Sequence, residues 1–359
     1  MKITNPLHPQ EITAEWITFA LRAGGVINQA IVRNVKKEIL GGGKGFLSSV
    51  VRVSLDYDRV DKDAPKSVVV KIEPESDTFR KFGDELNAFQ REIRFYKEVA
   101  SNVPIRLPIL YFSVDEAPAY SMVMEDLSSY TPGDQVIGMH RDQVMATVEI
   151  LAKLQARYWD NIALERLRWM PTTNAIGIDY QEKWGSFVEH FGSYVEKKGL
   201  EVGERLGNSI SWLEKEIEGR PKTIVHTDLR EDNLLFGNPN SDEAILILDW
   251  QLAIRSIGVF DVARIIGGSE LPSERSGHQF EVLRRWYDAL IREGVRDYSW
   301  EDAVRDFRLG ALELLCFPVH FHVGLIGSEG RSMELAQAIC GRVFSSAVEI
   351  DAASVLPSL

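Results

Sequence analysis

Residues 224–261 limit what this chain can be more than any other stretch. They read Ile224-Val-His226-Thr-Asp228-Leu-Arg230-Glu-Asp-Asn233-Leu-Leu-Phe236 and then, past a gap, Ile245-Leu-Ile-Leu-Asp249-Trp-Gln251. Two short apolar runs of β type, 234–236 and 244–248, flank the turn-rich Gly237-Asn-Pro-Asn-Ser-Asp242, which predicts a hairpin. Asp228 and Asn233 stand at one end of it and Asp249 at the other.

Few reactions need that set. Phosphoryl transfer asks a protein for little covalent work and much positioning: one carboxylate for the acceptor hydroxyl, and hard oxygen ligands for the metal on the triphosphate. In this reading Asp228 orients the acceptor hydroxyl and takes its proton, while Asn233 and Asp249 hold Mg²⁺ against the triphosphate. His226 is expected to brace the loop by hydrogen bonds. Arg230, two residues past the base, is either a γ-phosphate contact or a solvated loop arginine. A lone His-x-Asp is weak evidence, but an Asn at the fifth position after the Asp and a second Asp closing an apolar strand make chance agreement rare.

The N-terminal third supplies a nucleotide side. Thr13 to Ala23 carries Trp16, Ile17, Ala20 and Leu21 at helical spacing and stops at Gly24-Gly25. Strands over 31–40 and 46–57 enclose Gly41-Gly-Gly43-Lys-Gly45, the pattern of a phosphate-covering hairpin or of an ordinary glycine-rich turn. In the first case Gly43 and Gly45 let backbone amides approach the β- and γ-phosphates, with the Ser48 and Ser49 hydroxyls nearby. The next strand, Ser67-Val-Val-Val-Lys71-Ile72, is apolar but for one lysine, and a buried lysine needs an anionic partner. ATP phosphates are one such partner, and a glutamate on a helix predicted over 84–100 is another. Glu85 and Glu92, seven residues apart, share a face of that helix. Strands over 109–114 and 120–124 make five. The polar run Ser128 to Asp134 then marks a linker, dividing an N-lobe of sheet and helix, 1–126, from a C-lobe, 127–359. Helices are predicted there over 141–161, 202–218, 279–293, 301–315 and 333–352.

These motifs resemble those of the aminoglycoside phosphotransferase and choline kinase superfamily, and within it the ecdysteroid kinase-like branch. The carriers are Gly41 to Ser49, Val68-Val-Val-Lys71, Arg91-Glu92-Ile-Arg-Phe-Tyr96, Met124-Glu125-Asp126-Leu127, the His226 loop, Asp249-Trp-Gln251 and Gly258-Val-Phe-Asp261-Val-Ala. The resemblance covers most of the chain. It implies an α+β, bilobal protein-kinase-like fold: a five-stranded antiparallel N-lobe with one main helix, a mostly helical C-lobe, and a nucleotide in the cleft. It also implies transfer of phosphate from ATP to small-molecule hydroxyls with Mg²⁺. The resemblance favours Glu92 over Glu85 as the partner of Lys71 and makes Asp261 a brace for the catalytic loop. It assigns adenine to the carbonyl of Glu125 and the amide of Leu127, with Met124 lining the pocket. The pattern departs from the family at Thr227, where glycine or arginine is commoner. Asp249 and Asp261 stand a dozen residues apart, too close for the activation segment of a protein kinase.

Composition removes other classes. Forty-one basic against fifty-three acidic residues leave a net charge of −12, which argues against a nucleic-acid partner held by phosphate neutralisation. The start, Met1-Lys-Ile-Thr-Asn-Pro, has no apolar leader, no spanning segment follows, and Cys316 and Cys340 lack metal-type spacing. A cytoplasmic protein with reduced thiols and no membrane attachment is expected; no protein partner is legible. The aromatic stripe Trp184, Phe187, Phe191 and Tyr194 and the cluster 317–322 are either core or the wall of an acceptor pocket. With no acidic block there, an apolar or steroid-like alcohol is favoured over an aminoglycoside or choline-type amino alcohol. Two rivals are a nucleotide-binding pseudokinase and a metal hydrolase built on His226, Asp228, His320 and His322. The first is disfavoured because Lys71, Asp228, Asn233 and Asp249 are all present. The second leaves the strand lysine and the glycine turn without a purpose.

Overall fold

The computed structural model of the chain describes residues 4–40, 47–116, 119–173, 176–238, 244–327 and 329–358. Its packing sorts into two compact units. The first comprises the described residues of Met1–Asn102, Arg106–Tyr130 and Leu248–Leu252, and the second those of Val103–Ile105, Thr131–Ile247 and Ala253–Leu359. The division thus falls after Tyr130 rather than after 126, and the segment carrying Asp249, expected with the C-lobe, packs with the first unit.

In the first unit α1 (Ala14–Ala23) lies against a sheet of β1 (Val32–Ile39), β2 (Ser49–Tyr57), β3 (Ser67–Ile72), β4 (Leu110–Val114) and β5 (Ser121–Glu125). The strand order is β1-β2-β3-β5-β4, antiparallel throughout. Alternation explains the packing. Val51 and Val53 of β2, Val68 and Val70 of β3 and Val123 of β5 are fully buried with Trp16, Ile17, Ala20 and Leu21 of α1. Each such side chain contributes about 1.5–3 kcal/mol of burial. Thr13 caps α1, its side chain accepting from the Trp16 amide at 3.1 Å.

The helix predicted over 84–100 is broken. Helix α2 (Asp77–Glu85) ends, Asn87 takes a φ of 50°, and α3 (Ala88–Arg94) starts anew and runs on through a π turn at Phe95–Val99. Asn tolerates that left-handed backbone better than most residues, which lets the chain change direction there. Glu85 and Glu92 are therefore on different helices, and the shared face read from their spacing does not exist.

The second unit is mostly helical. It runs β6 (Thr131–Pro132), α4 (Arg141–Tyr158), α5 (Ile162–Glu165), α6 (Tyr180–Phe191), α7 (Lys197–Gly207), α8 (Ile210–Glu218), β7 (Thr223–Val225), β8 (Leu234–Phe236), β9 (Ile245–Ile247) and β10 (Ile254–Ser256). Five helices close it: α9 (Val259–Gly268), α10 (Pro272–Arg275), α11 (Gln279–Arg292), α12 (Trp300–Phe321) and α13 (Arg331–Glu349). The predicted hairpin is β8 with β9, flanked by β6, while β7 pairs with β10. The single helix expected over 202–218 is two, α7 and α8.

Every residue of α9 is buried, so it is the central helix of this unit. Gln155 of α4 ties its start to the neighbouring elements: its carbonyl accepts from Thr223 Oγ1, its Nε2 donates to the Gly258 carbonyl, and its Oε1 accepts from Trp286 Nε1. Gly258 allows this approach, because a Cβ there would stand 2.9 Å from Thr223 Cγ2 and 3.0 Å from Gln155 Oε1. Of the aromatic stripe, Phe187 and Phe191 of α6 are core, with Phe187 stacked on Phe344 of α13, while Trp184 is half-buried and Tyr194, beyond the helix, is exposed. No helix of the described residues is long and apolar enough to cross a membrane.

Candidate active site

The first unit gathers predicted site residues around one ammonium. Lys71 points from β3 into the interior, 6% exposed, with Nζ 2.5 Å from Glu92 Oε2 on α3 and 2.7 Å from Asp249 Oδ1. Gln251 Nε2 donates to the other oxygen of Asp249 at 3.0 Å. Asp249 has a φ of 65°, a left-handed backbone that few residues other than glycine adopt. Its neighbour Trp250 is buried flat on Phe95, ring centroids 4.1 Å apart, which anchors the segment. Burial works against the Lys71 charge, but Asp249 and Glu92 outweigh it and hold the ammonium above the usual lysine range. Burial pushes the Glu92 carboxyl up, to about 7, against the pull of Lys71. Glu85, the other candidate partner, is exposed on α2.

Sheet register gathers further predicted residues around Lys71. Ser49, at the start of β2, faces Ile72, and Val50 faces Lys71; Ser48, just before, is buried. Gly43 and Gly45 lie outside the described residues. Met124 is buried on β5 opposite Val69. The Glu125 carboxylate is taken up by Arg106 Nη2 at 2.5 and 2.6 Å and by the Ile109 amide at 3.1 Å. The Leu127 carbonyl accepts from the Tyr130 amide at 3.0 Å. Asp126 fixes the strand end by accepting from Ser67 Oγ at 2.5 Å and from the Ser128 amide at 3.0 Å.

The second unit gathers predicted site residues around one carboxylate. Between β7 and β8 the chain passes through His226, Thr227 and Asp228 and then a single turn, Glu231–Asn233. Asp261, on the first turn of α9, accepts from the His226 amide at 2.7 Å and the Thr227 amide at 2.9 Å. These bonds hold Thr227 at a φ of 68°. A β-branched residue is strained there, which is the physical reason glycine suits the position. Burial pushes the Asp261 carboxyl up to about 7, while the two amides and Arg264 pull the other way.

Three side chains hold Asp228. Arg230 Nε and Asn233 Nδ2 donate to Oδ2 at 3.1 and 3.2 Å, and Arg264 Nη2 donates to Oδ1 at 3.1 Å. Asn233 Nδ2 also donates to the Asp228 carbonyl at 2.8 Å, so its amide oxygen is turned away from the loop's own acceptors. Arg230 reaches Asp232 as well, so in this structure it is a paired loop arginine. Burial pushes the Asp228 carboxyl up, but Arg230 and Arg264 outweigh it and hold it below the usual carboxylate range. The result is an ionised, immobile carboxylate.

Arg264 and the Lys71 to Asp249 bridge were not anticipated. Asp249 was read as a metal ligand alone, and nothing local links two positions 178 residues apart. Arg264 did leave a signal: in Val259-Phe-Asp-Val-Ala-Arg-Ile-Ile-Gly-Gly268 it and Asp261 are the only polar side chains, three residues apart on one face. The residues of the metal-hydrolase rival do not gather. His320 pairs with Asp179, His322 bonds Ser186 and the Val319 carbonyl, and among the described residues no group of three or more His, Cys, Asp or Glu could hold a metal ion.

Residues 42–158 match the Ecdysteroid kinase-like family, and residues 168–312 match a family described as Uncharacterized oxidoreductase dhs-27. No curated protein matches the chain. Among solved structures it is similar to a choline kinase from Cryptosporidium parvum, at 13% identity and a TM-score of 0.56, covering 96% of this chain and 98% of that one. It is also similar to a microcompartment-associated aminopropanol kinase, at 15% identity and a TM-score of 0.53, covering 95% and 99%. A GDP complex of a mutant aminoglycoside 2′-phosphotransferase-IIIa is a third, at 12% and 0.54, covering 94% and 97%. The chain thus has the protein-kinase-like fold of the choline kinase and aminoglycoside phosphotransferase structures, and its residues 42–158 are similar to the ecdysteroid kinase-like family.

Proposed function

We propose that this protein transfers the γ-phosphate of ATP to a hydroxyl of a small molecule, an apolar or steroid-like alcohol. The observation that carries the reading is Asp228, kept ionised by two guanidiniums on a loop that Asp261 holds rigid. A carboxylate so placed accepts the acceptor's hydroxyl proton as the hydroxyl oxygen attacks the γ-phosphorus and ADP departs. Lys71, oriented by Glu92, would hold the α- and β-phosphates, with the Ser48 and Ser49 end of β2 and the glycines Gly43 and Gly45 before it in the sequence as the groups that would cover them. The Glu125 carbonyl and Leu127 amide, beside Met124, would receive adenine. The oxygen of Asn233 and the carboxylate of Asp249 are each ligands of the hard type that suits Mg²⁺, which would neutralise charge developing on the phosphates. Arg230, loosened from Asp232, would reach the γ-phosphate.

An apolar acceptor is supported by the end of α12. Phe317 packs under Arg264 with 4.6 Å from guanidinium to ring centroid, and Phe321 follows at 4.7 Å between rings. Exposed Val323 and Ile326 lie just beyond in the chain. An oxidoreductase reading lacks support, since residues 168–312 contain no Gly-x-Gly and hence no dinucleotide-binding fingerprint. The test is an ATP-consumption screen over alcohols, steroids, sugars, amino alcohols and aminoglycosides. Asp228→Ala is expected to lose acceptor-dependent turnover by about 100-fold or more while Mg-ATP still binds. Near wild-type turnover by that variant would reject the assignment.

A further inference from the structure

We infer that Arg264 selects the acceptor by binding an oxygen next to the hydroxyl that is phosphorylated, so that alcohols with a neighbouring hydroxyl, carbonyl or carboxylate are taken and amino alcohols refused. The inference rests on the phosphotransferase reading and narrows it. Arg264 is 1% exposed, and of its donors only Nη2 has a partner, Asp228 Oδ1. Nε and Nη1 find no hydrogen-bond partner among the described residues, and neither does Nε2 of the fully buried Gln135. These donors converge: a Cβ placed at Gly268 would stand 2.7 Å from Arg264 Nη1 and 3.8 Å from Gln135 Nε2. A buried guanidinium with unmatched N–H groups is costly, and an oxygen acceptor is what relieves it. Orienting Asp228 accounts for Nη2 but leaves the other donors without a purpose.

Chemistry decides which oxygen. The hydroxyl must lie against Asp228, whose Oδ1 accepts from Arg264 Nη2 at 3.1 Å, so a substituent on the adjacent carbon is within reach of the Arg264 guanidinium. An ammonium there would meet Arg264 and Arg230 in surroundings that screen charge poorly, whereas a carbonyl, carboxylate or second hydroxyl would accept from them. The Phe317 ring, 4.6 Å under the same guanidinium, offers an apolar face to the rest of the molecule.

Three probes sharing one ring and one hydroxyl separate the cases: mandelate, 1-phenyl-1,2-ethanediol and 2-amino-1-phenylethanol. With the full chain and Mg-ATP, ADP release is expected to favour the acid and the diol over the amine by at least about tenfold in kcat/KM. Arg264→Met should lower all three through its hold on Asp228 and the two oxygen-bearing acceptors about 10- to 100-fold further, erasing the preference, with Mg-ATP affinity by calorimetry unchanged. Arg264→Lys should restore part of it. Gly268→Ala, which displaces the guanidinium and keeps its charge, should raise KM for the same two acceptors and spare kcat. Selection is overturned by preference for the amine, equal use of all three, no turnover of any by protein that binds Mg-ATP, or a preference that survives Arg264→Met. An equal loss on all three in that variant also overturns it, leaving Arg264 as a positioning residue for Asp228. Failure to bind Mg-ATP would instead remove the phosphotransferase reading, and this inference with it.

Discussion

In the first unit a lysine is held between two carboxylates, Glu92 and Asp249; in the second a carboxylate is held between two guanidiniums, Arg230 and Arg264. Each triad carries one formal charge too many, negative in the first and positive in the second. The excess sits on the group that the proposed chemistry uses. Asp249 has a charge to offer a cation, and Arg264 has donors to offer an oxygen. The burial also differs. Lys71 and Glu92 have side chains 7% and 2% exposed against 24% for Asp249, whereas Arg230 and Asp228 are 26% and 16% exposed against 1% for Arg264. Removing one partner from the first triad strands a buried charge, a fold-level penalty. In the second triad Arg264 carries the same liability, whereas Arg230 stands nearer to water, so a change at Arg230 should alter chemistry more than stability.

Lys71→Met tests that contrast most severely. Loss of the phosphate anchor should lower kcat/KM for ATP by about 100-fold or more, with KM and kcat both affected. Urea unfolding should show a loss of about 2–4 kcal/mol, tempered because a stranded Glu92 can take up a proton. Unchanged stability would mean that Glu92 is already neutral in the native protein, and the first triad would have no excess charge.

Next in size is Asp249→Asn, which removes the anionic ligand while keeping shape. Mg-ATP affinity is expected to fall about tenfold and metal-free ATP much less. Equal losses in calorimetry would reject the metal role and leave Asp249 as a partner of Lys71 only.

The triads should also respond to pH in opposite directions. Glu92 and Asp261 each have a carboxyl raised to about 7, so the stability they contribute is full below the ordinary carboxylate range and is lost as pH rises through 7. Asp228 is lowered, so its contribution is full above the ordinary range and is lost as pH falls through its own pKa. Urea midpoints should therefore decline from pH 5.5 to pH 8, by on the order of 1 kcal/mol per raised group, and decline again in strong acid. Glu92→Gln should flatten the first decline and leave the second. A slope unaltered by that change would show Glu92 ionised throughout.

The smallest effect is expected at Thr227. Glycine relieves the 68° backbone but adds freedom to the unfolded chain, so Thr227→Gly should stabilise by about 1 kcal/mol or less without changing turnover. Destabilisation in thermal unfolding would show that the threonine side chain contributes more than its strained backbone removes.

What the sequence determined by itself was local or periodic. The alternation of Val51 and Val53 with Arg52 and Ser54 was enough to place β2, and α1 followed from Trp16, Ile17, Ala20 and Leu21. The spacing of Asp228 and Asn233 was legible for the same reason, since five residues in one turn bring the amide to the Asp228 carbonyl at 2.8 Å. Tertiary structure alone decided which charges meet. The break at Asn87 separated Glu85 from Glu92, the packing of Trp250 on Phe95 accompanied Asp249 to Lys71, and full burial of α9 carried Arg264 to Asp228. It also made Phe187 and Phe191 of α6 core, with Phe187 against Phe344, rather than a pocket wall. Periodicity reports that a face is apolar or that a charge must be paired. The partner across the interior is chosen by how the elements pack, because a buried charge is satisfied by whatever opposite charge the fold brings within hydrogen-bond reach, however distant in the chain.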